Sequence, residues 1–191
     1  MTLPFAVDPR RVPIVLVGRG EAAARRLAWL DAGGAGGDVF SDAPGPALAA
    51  AAGARLIARL PGPDDLPARG LVLVAGLDQA AAERVAALAR AAGALVNVED
   101  ARALCDFHLP AVVRRGDLVV AVSTGGRSPG TASRVRRLID EWLPADWAGR
   151  LDRIAALRGR LRLRGASARD VACATDALID RELAIPRRDA A

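Results

Sequence analysis

The sequence predicts an α/β fold that opens with a parallel sheet and continues with a small α+β region and a C-terminal helical domain. Short apolar segments alternate with helical patterns up to about Asp100, which is typical of a parallel sheet with helices on its faces. A glycine turn joins the first strand to the first helix. After Asp100 the pattern changes to two apolar segments around a polar turn, followed by helices only.

The first part of the chain contains five predicted strands. "RVPIVLVG" is the first, and "EAAARRLAWLDAG" after it carries apolar residues at helical spacing until glycines end it. "DVFSDA" and "ARLIARL" are predicted strands on either side of a short helix, "PALAAAAG". A turn-rich connection, "PGPDDLPARG", then precedes the strand "LVLVAG", the helix "DQAAAERVAALARAAG" and the strand "ALVNVED".

The second part of the chain begins with "FHLPAVVRRGDLVVAVS", whose two apolar segments around a polar turn predict an antiparallel hairpin. Ser128 is a good N-cap for the next helix, and Pro129 fits its first position. Two further amphipathic helices follow. We predict three regions: an α/β domain at 1–104, a hairpin with its following helix at 105–144 and a helical domain at 145–191 that ends in a loose tail from residue 185.

The composition excludes several classes of protein. Hydrophobic residues make up 52% of the 191 residues, and no apolar run approaches the roughly 20 residues of a membrane span. The chain has no lysine or tyrosine, which excludes Schiff-base chemistry and a Tyr–Lys catalytic pair. Its one histidine, His108, cannot form a histidine-rich metal site, and we predict no metal site. Cys105 and Cys173 have no CxxC spacing and predict free thiols. With no secretion signal in the N-terminal residues, we expect a cytoplasmic protein.

The charge of the chain points to an acidic partner. The net charge is +5, and all 27 residues counted as Lys or Arg are arginine. A positive net charge favours binding to a negatively charged partner, such as a nucleic acid or a polycarboxylate. Aromatic residues are only 3% of the chain and are not interleaved with the arginines, which argues against base stacking. We therefore expect neither a nucleic acid nor a membrane as partner.

The first glycine loop matches the G-x-G-x-x-G/A pattern of Rossmann dinucleotide sites through Gly18, Gly20 and Ala23. Asp42 follows 22 residues after Gly20, where an acid can bind a ribose hydroxyl of NAD and repel the additional phosphate of NADP. The motif predicts NAD as the cofactor, and the alternative is a glycine turn without a ligand. For Arg19 two interpretations stand, a phosphate contact and a solvent-facing side chain, of which we favour the second.

A second glycine loop, "AVSTGGRSPG", raises the question of what it holds, since one dinucleotide does not need two such loops. The amides of Gly125 and Gly126, the hydroxyls of Ser123 and Thr124 and the charge of Arg127 suit an anion.

Taken together, "VGRGEAAARR", "LVAGLD", "NVED" and "FHLPAVVRRGDLVVAVSTGGRSP" resemble the precorrin-2 dehydrogenase family, which includes the N-terminal module of siroheme synthase. The resemblance extends from about Leu3 to Leu143, and "NVED" and the long hairpin segment are its most specific parts. It differs from the family at "GRG", where three consecutive glycines are common, and at Thr124, where the family has serine.

The resemblance implies that NAD accepts a hydride from precorrin-2 to give sirohydrochlorin, and that some members then insert ferrous iron to give siroheme. It also implies that 1–104 is an NAD-binding Rossmann domain and 105–144 a dimerisation region, in a homodimer with the active site between domains. Asp100 matches the catalytic aspartate of the family's "N-V-x-D". The cofactor contacts then fall at Gly18, Arg19, Gly20, Glu21, Ala22, Asp42, Ala43 and Gly76.

The substrate implied by the resemblance carries eight carboxylates, which arginines and amide donors suit. We therefore assign the second loop to the substrate. The candidates are Ser123, Thr124, Gly125, Gly126, Arg127, Ser128, Arg114 and His108, with Arg115, Arg134, Arg136 and Arg137 as neighbouring cations. The alternative for the arginines is a solvated helix face, above all for Arg136 and Arg137.

Several roles stay open in the sequence. Asp100 fits a general base, and the alternative is a turn or N-cap aspartate. His108 suits an acid–base helper or an iron contact, but a hydrogen-bonded core residue is the interpretation we favour, with Cys105 as a packing residue. Besides the dehydrogenase, we keep two further functions open: an enzyme that also inserts iron, and an NAD-sensing or nucleic-acid-binding regulatory module.

Overall fold

The computed structural model describes residues 3–183 and contains two compact units, Met1–Leu109 and Pro110–Ala191. The predicted tail from residue 185 lies outside the described residues. No helix of the described part of the chain is long and apolar enough to cross a membrane.

The first unit is a five-stranded parallel sheet with the strand order β3-β2-β1-β4-β5. Its elements in chain order are β1 (Ile14–Gly18), α1 (Gly20–Ala32), β2 (Val39–Phe40), α2 (Gly45–Ala52), β3 (Leu56–Ile57), β4 (Leu71–Ala75), α3 (Gln79–Ala91) and β5 (Leu95–Val98). Short 3-10 helices occupy Gly53–Arg55, Pro63–Asp65 and Arg102–Leu104. β2 and β3 lie on one side of β1 and β4 and β5 on the other, which confirms the predicted Rossmann-type sheet.

Both faces of this sheet are buried, as a parallel sheet requires. On one face, β1, β4 and β5 turn valines such as Val17, Val74 and Val96 toward the alanines and Val85 of α3. On the other, Leu16 and Leu73 pack against α1 and α2. The alanines allow the helices to lie close to the sheet, which explains how a chain with few aromatic residues fills its core.

Two predicted strands are shorter than their sequence patterns. Only Val39–Phe40 of "DVFSDA" and Leu56–Ile57 of "ARLIARL" form ladder pairs. β3 is the edge strand and pairs with β2 alone, and the two residues of β2 are the ones that pair with β1 and with β3. The segment from Cys105 to Leu109, which the sequence pattern places after the first domain, belongs to the first unit. Asp106 accounts for part of this, since its backbone N–H donates to Val96 O at 2.8 Å and its carboxylate accepts from Val96 N at 2.9 Å.

The second unit consists of an antiparallel hairpin and three helices, as predicted. The elements are β6 (Ala111–Arg115), β7 (Leu118–Val122), α4 (Pro129–Trp142), α5 (Trp147–Leu163) and α6 (Ala168–Leu183). One face of the hairpin joins α4 and α5 in a small core around Val113, Leu143, Trp147 and Ile154. Ser128 is confirmed as the N-cap of α4, since its hydroxyl accepts the Thr131 N–H at 3.3 Å. The further division of this unit into a dimerisation region and a helical domain stays a prediction.

Candidate functional site

The turn between β1 and α1 brings a helix start very close to the sheet. A side chain at Gly18 would place its Cβ 2.2 Å from the carbonyl oxygen of Ala75 and 2.8 Å from the Cβ of Ala23. Only glycine at position 18 and a small residue at position 23 therefore allow this packing, as the motif predicted.

The start of α1 offers unpaired donors beside open space. Gly20 has a φ of +55°, and a Cβ built there would meet no atom within 4 Å. The Gly20 N–H donates to Ala43 O at 3.3 Å, whereas the N–H groups of Glu21 and Ala22 find no acceptor among residues 3–183. Amides at a helix N-terminus bind phosphate, so this cradle fits the pyrophosphate of a dinucleotide. Gly76, with a φ of +70°, follows β4 next to the cradle.

Arg19 does not point into solvent, so the interpretation favoured from the sequence is wrong. Its Nε and Nη2 donate to the two carboxylate oxygens of Asp42 at 2.6 and 2.8 Å, and its Nη1 donates to Asp78 at 2.9 Å. The hydrogen bonds from Arg19 lower the pKa of Asp42 below its ordinary value, and the two carboxylates raise the pKa of Arg19. Asp78 also caps α3 by accepting the Ala81 N–H, which is the main cause of its own lowered pKa.

Asp100 lies at the same carboxyl edge of the sheet, just after β5. The turn Val98–Ala101 closes with a hydrogen bond of 3.4 Å, and Asp100 takes its third position with a φ of +58°. Glycine or asparagine is favoured at such a position. Glu99 anchors the turn, since its N–H donates to Val74 O at 2.9 Å and its carboxylate pairs with Arg26 at 3.5 Å.

The carboxylate of Asp100 is exposed and has no hydrogen-bond partner among the described residues. Ala101 caps the following 3-10 helix, so Asp100 is not an N-cap. Asp100 thus combines an uncommon backbone conformation with a side chain that has no partner among the described residues, at the edge where open α/β sheets bind ligands.

Cys105 and His108 follow the Asp100 turn, and only Cys105 has hydrogen-bond partners among the described residues. Cys105 packs under β5, where its Sγ accepts the Val98 N–H at 3.3 Å and donates to Val98 O at 3.1 Å, which confirms a packing role. The side chain of His108 is half-buried and makes no hydrogen bond to any described residue. The prediction of a hydrogen-bonded core histidine is therefore wrong, since the residues on either side of it, Phe107 and Leu109, make the contacts with the core.

The second glycine loop is partly closed on itself. The Thr124 hydroxyl donates to Ser128 O and accepts the Ser128 N–H, both at 3.1 Å, so it holds the loop in shape. Gly125 and Gly126 have φ values of +60° and +75°, and Gly125 N–H donates to Ser123 Oγ at 3.2 Å. Within residues 3–183, the Gly126 N–H has no acceptor and remains available to an anion, together with the exposed Arg127.

The arginines near this loop separate into two groups. Arg115 donates to Asp140 and to carbonyl oxygens at the end of α4, and Arg136 pairs with Asp140 at 3.2 Å. These two stabilise the helix and are not free for a ligand, which corrects their place among the candidate cations. The four that remain are exposed and pair with no described residue: Arg114, Arg127, Arg134 and Arg137.

Apolar side chains of the second unit are exposed on two of its elements. Val119 on β7 is 44% exposed, and Leu138 and Trp142 on α4 are each 50% exposed. Val135 lies on the same face of α4, and Val112, on the outer face of the hairpin, is half-buried. In residues 3–183 no group of three or more His, Cys, Asp or Glu side chains is placed to hold a metal ion.

Two family models match the chain. A model described as "Putative NAD(P)-binding" covers residues 5–111, and a model described as "Sirohaem biosynthesis protein central" covers residues 115–141. The chain belongs to this NAD(P)-binding family. The first match contains the α1 cradle, Asp42 and Asp100, and the two matches in this order confirm the resemblance found in the sequence.

Curated relatives of the family extend well beyond this chain. "Siroheme synthase" of Methylococcus capsulatus is 39% identical over 164 residues, which are 84% of this chain and 34% of the relative. "Siroheme synthase 1" of Cronobacter sakazakii is 37% identical over 163 residues, with the same two coverages. The chain thus spans about a third of the length of the curated relatives it matches.

A solved structure has a similar fold. "SirC, precorrin-2 dehydrogenase" superposes with a TM-score of 0.76 over 97% of this chain and 93% of that chain, at 20% identity. This likeness confirms the fold class.

Asp78 belongs to the first site through its hydrogen bond with Arg19, although the sequence patterns did not place it there. An acid that directly follows the strand "LVAGL" and precedes a helix was the available signal, since strand ends of open α/β sheets meet at the ligand edge.

Proposed function

We propose that this chain oxidises precorrin-2 to sirohydrochlorin with NAD as the hydride acceptor, in siroheme biosynthesis. The observation that carries the proposal is the free, exposed carboxylate of Asp100 at the same sheet edge as the α1 cradle. Two strand spacings separate β1 from β5, about 10 Å. The family membership and the names of the relatives agree with this reaction.

The site fits a dinucleotide that crosses the sheet edge at β1. The unpaired N–H groups of Glu21 and Ala22 hold the pyrophosphate, and Asp42 at the end of β2 binds the adenosine ribose. Gly76 after β4 and Asp100 after β5 lie along the same edge and would line the space for the nicotinamide half. When bound there, NAD supplies a two-electron hydride acceptor.

Asp100 acts as the general base in this proposal. Forming the new double bond of the product requires a hydride to leave one carbon of the substrate and a proton to leave a neighbouring atom. The exposed carboxylate accepts that proton. The Val98–Ala101 turn and the Arg26–Glu99 pair fix where the carboxylate stands.

We assign the substrate's carboxylates to the second glycine loop. Arg127, Arg114 and the unpaired N–H of Gly126 offer charge and donors, and guanidinium groups pair with carboxylates through two parallel hydrogen bonds. Thr124 supports the loop rather than the ligand. His108, half-buried and without a partner in the described residues, is retained as a substrate contact.

The exposed apolar residues of β7 and α4 support a homodimer. A row of such side chains on a small unit is typical of an interface between subunits.

A cytoplasmic location agrees with the two cysteines, which are both free thiols.

Iron insertion is a second candidate activity, favoured by the relatives named siroheme synthase. Ferrous iron would be a substrate, and the base that accepts the pyrrole protons would be the same Asp100 carboxylate.

The experiment that tests the proposal incubates the purified chain with precorrin-2 and NAD and follows NADH by its absorbance. We expect stoichiometric NADH and sirohydrochlorin, and none when the chain or NAD is left out. Ferrous iron is added in a separate reaction, so that siroheme formation is scored independently. A protein that binds NAD but forms no NADH with precorrin-2 would refute the proposal.

A further inference from the structure

Arg19 connects the ends of three strands at the dinucleotide cleft. It stands between the glycines of the first loop, after β1, and reaches Asp42 after β2 and Asp78 after β4. These partners are 23 and 59 residues away in the chain. Strand order reverses at β1, and the crevice of such a reversal is where open α/β sheets bind their ligands.

The three side chains carry a net charge of −1, because one guanidinium faces two carboxylates. Asp42 is the acid placed to contact the adenosine ribose, and its full negative charge would strongly oppose a phosphate at the 2′ position. With Arg19 bonded to both of its oxygens, that repulsion is reduced.

Arg19 also has N–H groups that the two carboxylates do not use. A guanidinium has five N–H groups, and three of them hold the two carboxylates. The side chain is 28% exposed, and the other two N–H groups donate to no described residue. They suit a phosphate, which guanidinium binds with two parallel hydrogen bonds.

We propose that Arg19 sets the discrimination between NAD and NADP: it weakens the rejection of a 2′-phosphate by Asp42 and supplies donors to that phosphate. The inference rests on the proposed function, since it takes the α1 cradle to be a dinucleotide site. NAD remains the preferred ligand because the cluster stays negative, but the preference is smaller than Asp42 alone would give.

The ion pairs of Arg19 lie at the ligand edge of the sheet, but they are as exposed as ordinary surface ion pairs. Asp42 and Asp78 are 39% and 62% exposed, so the pairs contribute little to folding. Replacing Arg19 should therefore change ligand preference without unfolding the protein. A glutamine at position 19 meets no backbone conflict, since φ there is −131° and ψ is 150°, an extended conformation that any residue adopts.

The test is a set of four proteins: the unchanged chain, Arg19→Gln, Asp42→Ser and the double variant. Dissociation constants for NAD and NADP are measured by calorimetric titration without substrate. We expect Arg19→Gln to raise the NADP-to-NAD ratio of dissociation constants about tenfold, which corresponds to about 1.4 kcal/mol. We expect Asp42→Ser to invert the preference, because the freed guanidinium then binds the 2′-phosphate, and the double variant to bind both dinucleotides equally.

The matched control is Arg25→Gln, which removes the same charge from an exposed position on α1 that contacts no described carboxylate. The NADP-to-NAD ratio of dissociation constants of Arg25→Gln should equal that of the unchanged chain. Thermal melting should show that all variants fold. Equal ratios for Asp42→Ser and the double variant, or no change in Arg19→Gln, would overturn the inference while NAD binding still supports the proposed function. Failure of the unchanged chain to bind either dinucleotide would overturn both.

Discussion

Replacing Asp100 by asparagine tests the proposed chemistry most directly. Asparagine keeps the shape of the side chain and tolerates a positive φ, but it cannot accept a proton at neutral pH. Without the base, turnover should fall by about 10²–10⁴, equivalent to about 2.7–5.4 kcal/mol of transition-state stabilisation. NAD affinity should change little, because the cradle amides belong to Glu21 and Ala22.

The backbone at position 100 provides a control that separates chemistry from folding. An L-residue in the left-handed region costs roughly 1–2 kcal/mol, less for aspartate, and glycine adopts it freely. Asp100→Gly should therefore be as stable as the unchanged chain or more stable by about 0.5–1 kcal/mol, yet equally inactive. A loss of activity together with unchanged or increased stability cannot arise from unfolding.

The assay is single-turnover formation of NADH from enzyme-bound precorrin-2 at saturating NAD, with urea titration of each variant in parallel. Iron insertion is measured separately with sirohydrochlorin. Turnover of Asp100→Asn within about threefold of the unchanged chain would refute the assignment, since a lost general base costs at least tenfold more than that. His108, half-buried and without a hydrogen-bond partner in the described residues, would be the next candidate.

Three further predictions concern other parts of the chain. Charge reversal by Arg127→Glu should weaken precorrin-2 binding at least tenfold and leave the calorimetric NAD titration unchanged; loss of NAD binding instead would contradict our assignment of the two loops. Val119→Arg should turn a dimer into a monomer in light scattering at micromolar concentration, and a monomer already in the unchanged protein would rule out the dimer. Hydrogen bonds from Arg59 and from the Gly62 N–H lower the pKa of Asp65 from 3.8 to about 2, so its ionised form stabilises the fold above about pH 4 and this contribution is lost as the pH falls toward 2. In Asp65→Asn the urea midpoint should therefore decrease less between about pH 4 and pH 2 than in the unchanged chain. An equal decrease in the two proteins would contradict this reasoning.

The sequence by itself determined the elements whose signals are local. Apolar spacing in "EAAARRLAWLDAG" and the Ser128–Pro129 start of α4 are patterns within one turn or one helix, and the structure has both where they were expected. The glycine spacing of the first loop likewise fixed the contact between α1 and the sheet, because Gly18 and Ala23 meet across a single turn. Local hydrogen bonds and side-chain periodicity need no knowledge of the remaining chain.

Tertiary structure decided what depends on residues far apart in the chain. The strand pattern of "ARLIARL" exceeds the two ladder pairs that form, because the length of β3 is set by its neighbour β2. The orientation of Arg19 depends on strand order, which brings Asp42 and Asp78 to either side of it. The positive φ of Asp100 follows from a turn anchored on Val74 and Arg26, and no pattern around "NVED" encodes those contacts. Pairings of this kind take their energy from partners that only the folded sheet brings within hydrogen-bond distance.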